Sequence, residues 1–171
     1  MGMRGRGFTY VIALVVLAVL GVGLSYVGSH WITEAQRAKE EELLFVGNQY
    51  RRAIEQFYLS HPSRTFPRNV GQLLEDVRFP EPKRHLRQAY RDPMSATGEW
   101  GSVTTPEGTM IGLFSRSTET PLKRVGFRLR DRSFENKAAY ADWKFVAPTA
   151  EVNRFIERIN RSSASTPVDA R

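Results

Sequence analysis

From Phe8 to Val27 the chain reads FTYVIALVVLAVLGVGLSYV, an uncharged run in which only Thr9, Tyr10 and Ser25 are polar. At about 1.5 Å of rise per residue, roughly 20 apolar positions match the roughly 30 Å hydrocarbon core of a bilayer. A single segment crosses lipid only as a helix, because nothing there pairs with open backbone groups. The pattern therefore predicts a membrane-spanning helix, with Phe8, Ile12, Leu17, Leu20 and Val27 among its apolar positions. Arg4 and Arg6 precede it and predict a cytoplasmic N-terminus, which sends the remaining chain across. Three other readings compete. A buried core helix fits the composition, but not this length directly behind two arginines. A cleaved secretory signal would use the small residues near Val27-Gly28-Ser29. A plain signal anchor explains the run without any further function.

From Glu34 onward the apolar period changes. Leu43, Val46, Tyr50, Ala53, Ile54 and Phe57 recur at three- and four-residue intervals, and no proline intervenes before Pro62. One helix from about Phe8 to about Ser60 is predicted, on the order of 80 Å long. Glu34, Arg37, Lys39, Glu40, Glu41 and Glu42 read as a solvated helical face, with pairs such as Arg37 and Glu41 four residues apart. His61-Pro62-Ser63-Arg64-Thr65-Phe66-Pro67 ends that helix. Asn69 offers an N-cap with Gln72 as its capping-box partner, and Leu73, Leu74 and Val77 give a short helix an apolar face. Asp92-Pro93 forms a turn. Strands follow over Glu99–Val103, Met110–Ser115 and Asp142–Val146, the first two joined as a hairpin by Pro106-Glu107-Gly108.

Core candidates are Ile54, Phe57, Tyr58, Leu73, Leu74, Trp100, Ile111, Leu113, Trp143 and Phe145. Val152, Phe155, Ile156 and Ile159 predict an amphipathic helix over 149–160. The Ser-rich remainder from Arg161, RSSASTPVDAR, is expected to be disordered.

Composition adds less than this layout. A mean hydropathy of −0.40 averages one apolar run with a polar remainder, and it excludes a polytopic membrane protein. The absence of cysteine excludes thiol catalysis, disulfides and thiolate metal sites. His30, His61 and His85 are scattered without helical ligand spacing, and His30 beside Trp31 reads as an interfacial anchor. No nucleophile elbow or phosphate-binding glycine loop occurs. The chain is read as no enzyme, with no catalytic residue, metal or cofactor. The net charge of +7 directs attention to anionic partners. Lys83, Arg84, Arg87 and Arg91 form one basic segment, and Lys123, Arg124, Arg128 and Arg130 a second. Nucleic acid is one candidate partner. A solvated surface, or a docking face for acidic neighbours, is favoured because no platform of several aromatics accompanies the charges.

One motif is more specific. A short basic leader ends in Gly7, and Phe8-Thr9 opens the apolar run. This Arg6-Gly7-Phe8-Thr9 arrangement resembles the leader and mature start of type IV pilin-like proteins, including type II secretion pseudopilins. The order of a long helix, an aromatic-Pro pair, a Leu-rich short helix and the tract Leu86 to Pro93 is similar to the major pseudopilin.

The resemblance implies cleavage after Gly7 by a prepilin peptidase and methylation of Phe8. It also implies an α+β, pilin-like fold in which a long N-terminal helix, membrane-spanning in its first half, packs against a small antiparallel sheet. The implied divisions are a leader over 1–7, a transmembrane and assembly helix over 8–29, a periplasmic head over 30–148, and a helix and tail over 149–171. Partners would be the membrane, other pilin-like subunits and an inner-membrane assembly platform. The protein would be a single-pass bacterial inner-membrane subunit of a type II secretion or type IV pilus-like assembly. The alternative is a signal-anchored periplasmic binding module with a basic surface, for example for DNA in uptake.

Two departures refine this expectation. Ile12 stands where the family usually carries Glu at the fifth mature residue, which points to a minor or terminal subunit, or a specialised variant, over a self-sufficient major pilin. The loop in which major pseudopilins bind calcium reads Ser115 to Arg124 here, with Glu119 as its one acid among several cations. A divalent ion wanting six to eight oxygens is not expected there.

Overall fold

The computed structural model describes the backbone of residues 6–164 and the side chains of residues 10–19, 33–150 and 152–158 and of Arg161. Helix α1 runs Arg6–Ser60, uninterrupted because no proline falls within it. Tyr10–Val19 are exposed throughout. They amount to about 15 Å of helix, half of a bilayer core, and beyond Thr33 the helix is charged. Among the described residues no helix is long and apolar enough to cross a membrane. This overturns the expected membrane-spanning half of the fold, and with it the single-pass inner-membrane placement. Ile12 and Leu17 are seen as exposed positions on α1. The side chains of Phe8, Leu20, Val27, His30 and Trp31 lie outside the described residues, and of Gly7 only the backbone is described.

Contacts divide the chain into two units between Lys39 and Glu40. In the first, Arg37 pairs with Glu34 at 3.8 Å, not with Glu41. Both side chains are largely exposed, so the pair adds little stability.

The second unit is a small α+β fold. Helix α2 (Gly71–Leu74) precedes strands β1 (Trp100–Thr104), β2 (Met110–Ser115) and β3 (Lys144–Val146), and α3 follows at Ala150–Ala164. The strands form an antiparallel sheet in the order β1-β2-β3. Trp100 pairs with Ser115 and Val103 with Gly112, and a bulge falls between Val103 and Thr104. Gly108, with φ +78°, supplies the left-handed residue that closes the hairpin, where Thr105 N–H donates to Thr109 O.

Every residue of β2 is buried except half-buried Phe114, as expected of the central strand of a small sheet. Val46, Tyr50, Ala53, Ile54 and Phe57 of α1 join Met110, Ile111 and Leu113 of β2, with Leu73, Leu86, Ala147 and Val152, in one core cluster. A second cluster joins Leu43 to Phe134, Tyr140, Trp143 and Phe145. There Phe134 and Trp143 stack with ring centroids 5.5 Å apart. At Gly47 a Cβ would stand 2.5 Å from the Phe145 ring, so only glycine lets β3 approach the helix this closely.

Several local expectations change. Val77 is 72% exposed, because α2 stops at Leu74 and the chain turns into an isolated bridge between Asp76 and Lys83. Asn69 Oδ1 accepts the Gln72 N–H at 3.2 Å, whereas the Gln72 side chain reaches back to Arg68 N–H instead of Asn69. Tyr58, Leu74 and Trp100 are only partly buried. Glu40 is 4% exposed and does not belong to a solvated face. Helix α3 continues through Arg161 to Ala164. Its start is fixed by the buried Thr149, whose Oγ1 accepts the Val152 N–H.

Candidate functional site

The two basic segments are each anchored by a buried carboxylate. In the first, Asp76 is 1% exposed and accepts from Arg78 Nη2 at 2.7 Å and from Arg78 Nε at 2.8 Å. His85 Nε2 lies 2.9 Å from the same carboxylate. The Arg78 hydrogen bonds, reinforced by His85 against the cost of burial, hold the Asp76 carboxyl well below the usual carboxylate range. Arg78 also donates to Phe57 O at 2.7 Å, with its guanidinium 3.5 Å from the Phe57 ring centroid. The end of α1 and the 76–85 loop are thereby tied together.

Lys83, Arg84, Arg87 and Arg91 point outward from this anchor. Lys83 lies over the Phe79 ring, and Arg91 donates to Thr97 O at 2.9 Å. Tyr50 crosses beneath. Its hydroxyl donates to Tyr90 O and accepts from Tyr90 N–H, each at 2.9 Å, and burial raises its pKa above the ordinary phenol value.

In the second segment, Glu40 Oε1 accepts from Tyr140 OH at 2.7 Å and from the N–H groups of Leu122 at 2.7 Å and Lys123 at 3.2 Å. Asp131 turns inward, accepting from Arg51 at 2.6 Å and Asn48 at 3.3 Å. Phe127 packs edge-on against Trp143 and Phe134. Between these anchors the chain exposes Lys123, Arg124, Arg128 and Arg130.

Upstream, Asp92 accepts from Ser115 Oγ at 2.7 Å, Met94 N–H at 2.9 Å and Arg116 N–H at 3.2 Å. The loop after β2 is thus held by carboxylates of the chain itself, Asp92 at its start and Glu40 further on. Both acids lie outside the 115–124 stretch, beyond the reach of a local motif.

Lys123, Arg128 and Arg130 line one cleft of about 370 Å³ with Phe45, Phe127 and Arg52. Arg130 and Arg52 also face a second cleft, of about 790 Å³, with Lys137, Lys144, Phe155 and Ile156. Lys83, Arg84, Arg87 and Arg91 line neither. No family model, curated protein or solved structure matches this chain.

Arg52 and Phe45 are cleft residues that the sequence reading passed over. Phe45 stands out of phase with the Leu43–Val46–Tyr50 stripe, and that is the one sequence signal that it faces outward. Among the described residues no group of three or more His, Asp or Glu side chains is placed to hold a metal ion. His61 Nδ1 instead makes a local 2.7 Å contact with Ser63 Oγ, and His85 is committed to Asp76.

Proposed function

We propose that this chain is a structural, pilin-like subunit of a type II secretion or type IV pilus-like assembly. The observation that carries the reading is the contrast along α1. Leu43, Val46, Tyr50, Ile54 and Phe57 are covered by the chain's own sheet and loops, whereas Tyr10, Val11, Ile12, Leu14, Val15, Val16, Leu17 and Val19 are uncovered. A contiguous apolar surface of that size on a folded chain marks an interaction site. Like helices of neighbouring subunits are its natural cover, because aliphatic side chains at every angle around the axis suit a position inside a bundle.

The Gly7-Phe8 junction supports the same reading, with prepilin-type cleavage and methylation of Phe8 preceding assembly. Ile12 offers a neighbouring amine no carboxylate, so the role is that of a minor or terminal subunit. Mass spectrometry of the mature chain tests this. A chain beginning at methylated Phe8 is expected; an intact Met1, or a cut near Ser29, contradicts it. Self-polymerisation of the wild type, lost on Ile12→Glu, would contradict the minor-subunit role.

A further inference from the structure

The 122–132 segment combines two properties on one outward surface. Lys123, Arg124, Arg128, Arg130 and Arg132 are exposed, and none forms an ion pair among the described residues. Asp131, the nearest acid in sequence, is paired with buried Arg51, and Glu41 is the exposed acid lining the cleft of Lys123, Arg128 and Arg130. Between the cations stand large apolar side chains with no cover: Val125 is 64% and Leu129 83% exposed, with Leu122 at 42%. Phe45 of α1, itself 58% exposed, borders the same cleft as Lys123, Arg128 and Arg130.

The backbone beneath is fixed. Glu40 holds the Leu122 and Lys123 N–H groups, Asp131 holds Arg51, and Asn136 N–H donates to Arg124 O at 3.0 Å. The apolar tips are therefore presented outward and not free to fold back.

We propose that this segment docks the head onto an anionic phospholipid surface. Val125 and Leu129 enter the boundary between headgroups and acyl chains, and the flanking cations meet the phosphates. Apolar side chains interleaved with Lys and Arg are what an anionic lipid interface accepts. A nucleic-acid backbone would use the cations and leave Leu129 in water. Docking of this kind touches one leaflet and crosses nothing, and it stands independently of the assembly reading.

The test is co-sedimentation of the full chain with vesicles of phosphatidylcholine, and of equal parts phosphatidylcholine and phosphatidylglycerol. Any association of the apolar Tyr10–Val19 stretch with lipid is common to both vesicles, so the readout is the ratio between the two. Each cation at such a surface contributes about five-fold. The Arg128→Ser/Arg130→Ser double variant is expected to lower the ratio on the order of 25-fold. An Arg128→Lys/Arg130→Lys variant keeps it. Val125→Ser/Leu129→Ser lowers partition into the anionic vesicles several-fold at an unchanged melting temperature.

A wild-type ratio in the serine-for-arginine variant overturns the proposal. So does equal loss of vesicle and duplex-DNA binding in that variant while Val125→Ser/Leu129→Ser retains both, which would make the surface a polyanion site. Loss of self-association in sedimentation velocity without any change in the vesicle ratio would assign the surface to a second copy, and equally overturns it.

Discussion

Helix α1 contains two apolar stretches that differ in kind. Over Leu43–Phe57 the buried apolar residues form a stripe against β2, β3 and the loops, and Phe45, out of phase with it, is exposed. Over Tyr10–Val19 they occupy every angle and stay uncovered. The first pattern can be satisfied by one neighbouring layer of the same chain; the second requires cover on all sides. Hydrophobicity alone does not distinguish a core from an interface, but its period along the helix does.

The sharpest way to break the covered stretch is to strand its buried charge. Asp131→Ala leaves Arg51 unpaired beneath the 122–132 loop and is expected to cost about 3–5 kcal/mol in chemical denaturation. Replacing both partners, as in Arg51→Met/Asp131→Leu, recovers most of that loss.

Acid separates the regions next. Because Asp76 has a lower pKa folded than unfolded, its stabilisation is complete above the ordinary aspartate range. It is lost as pH falls below about 3.9. Denaturation midpoints measured across that window are expected to fall less steeply for Asp76→Asn, which starts from lower stability at neutral pH.

Gly47→Ala forces a methyl into the Phe145 ring and is expected to cost about 1–3 kcal/mol, read from the thermal midpoint. At the other extreme, Val16→Ser in the uncovered stretch should change stability by no more than about 0.5 kcal/mol. The same variant is expected to weaken association with neighbouring subunits, measured by copurification. Equal stability losses at Gly47 and Val16 would erase the distinction between the two stretches.

Much of the head was legible in its sequence because its signals are local. The Leu43–Phe57 stripe, Pro62 and Gly108 each act within a few residues, and they place the end of α1 and the hairpin. The buried carboxylates were not legible. Glu40 sits in a run of charges that reads as solvated, and only the distant Tyr140 hydroxyl and Leu122 N–H group make its burial favourable. Phe134 and Tyr140 were absent from the expected core for a similar reason. Each lies in a short 3₁₀ turn with no period to betray an inward face.

The basic segments are cation-rich in the sequence itself, but sequence could not show that one shares a cleft with Arg52 and Phe45. The reading of 8–29 as a bilayer span rested on length, apolarity and the position behind Arg4 and Arg6. Over the described residues, the uncovered apolar stretch is about half that long.

If the helices of other subunits cover Tyr10–Val19, a crosslinker placed within that stretch reaches them. The chain has no cysteine, so a Val16→Cys variant carries a unique thiol to which a benzophenone photo-crosslinker can be attached in producing cells. On the proposed function, an adduct between this position and the N-terminal helix of a pilin-like neighbour, identified by mass spectrometry, is expected. No protein adduct, or adducts confined to other kinds of segment, would contradict it.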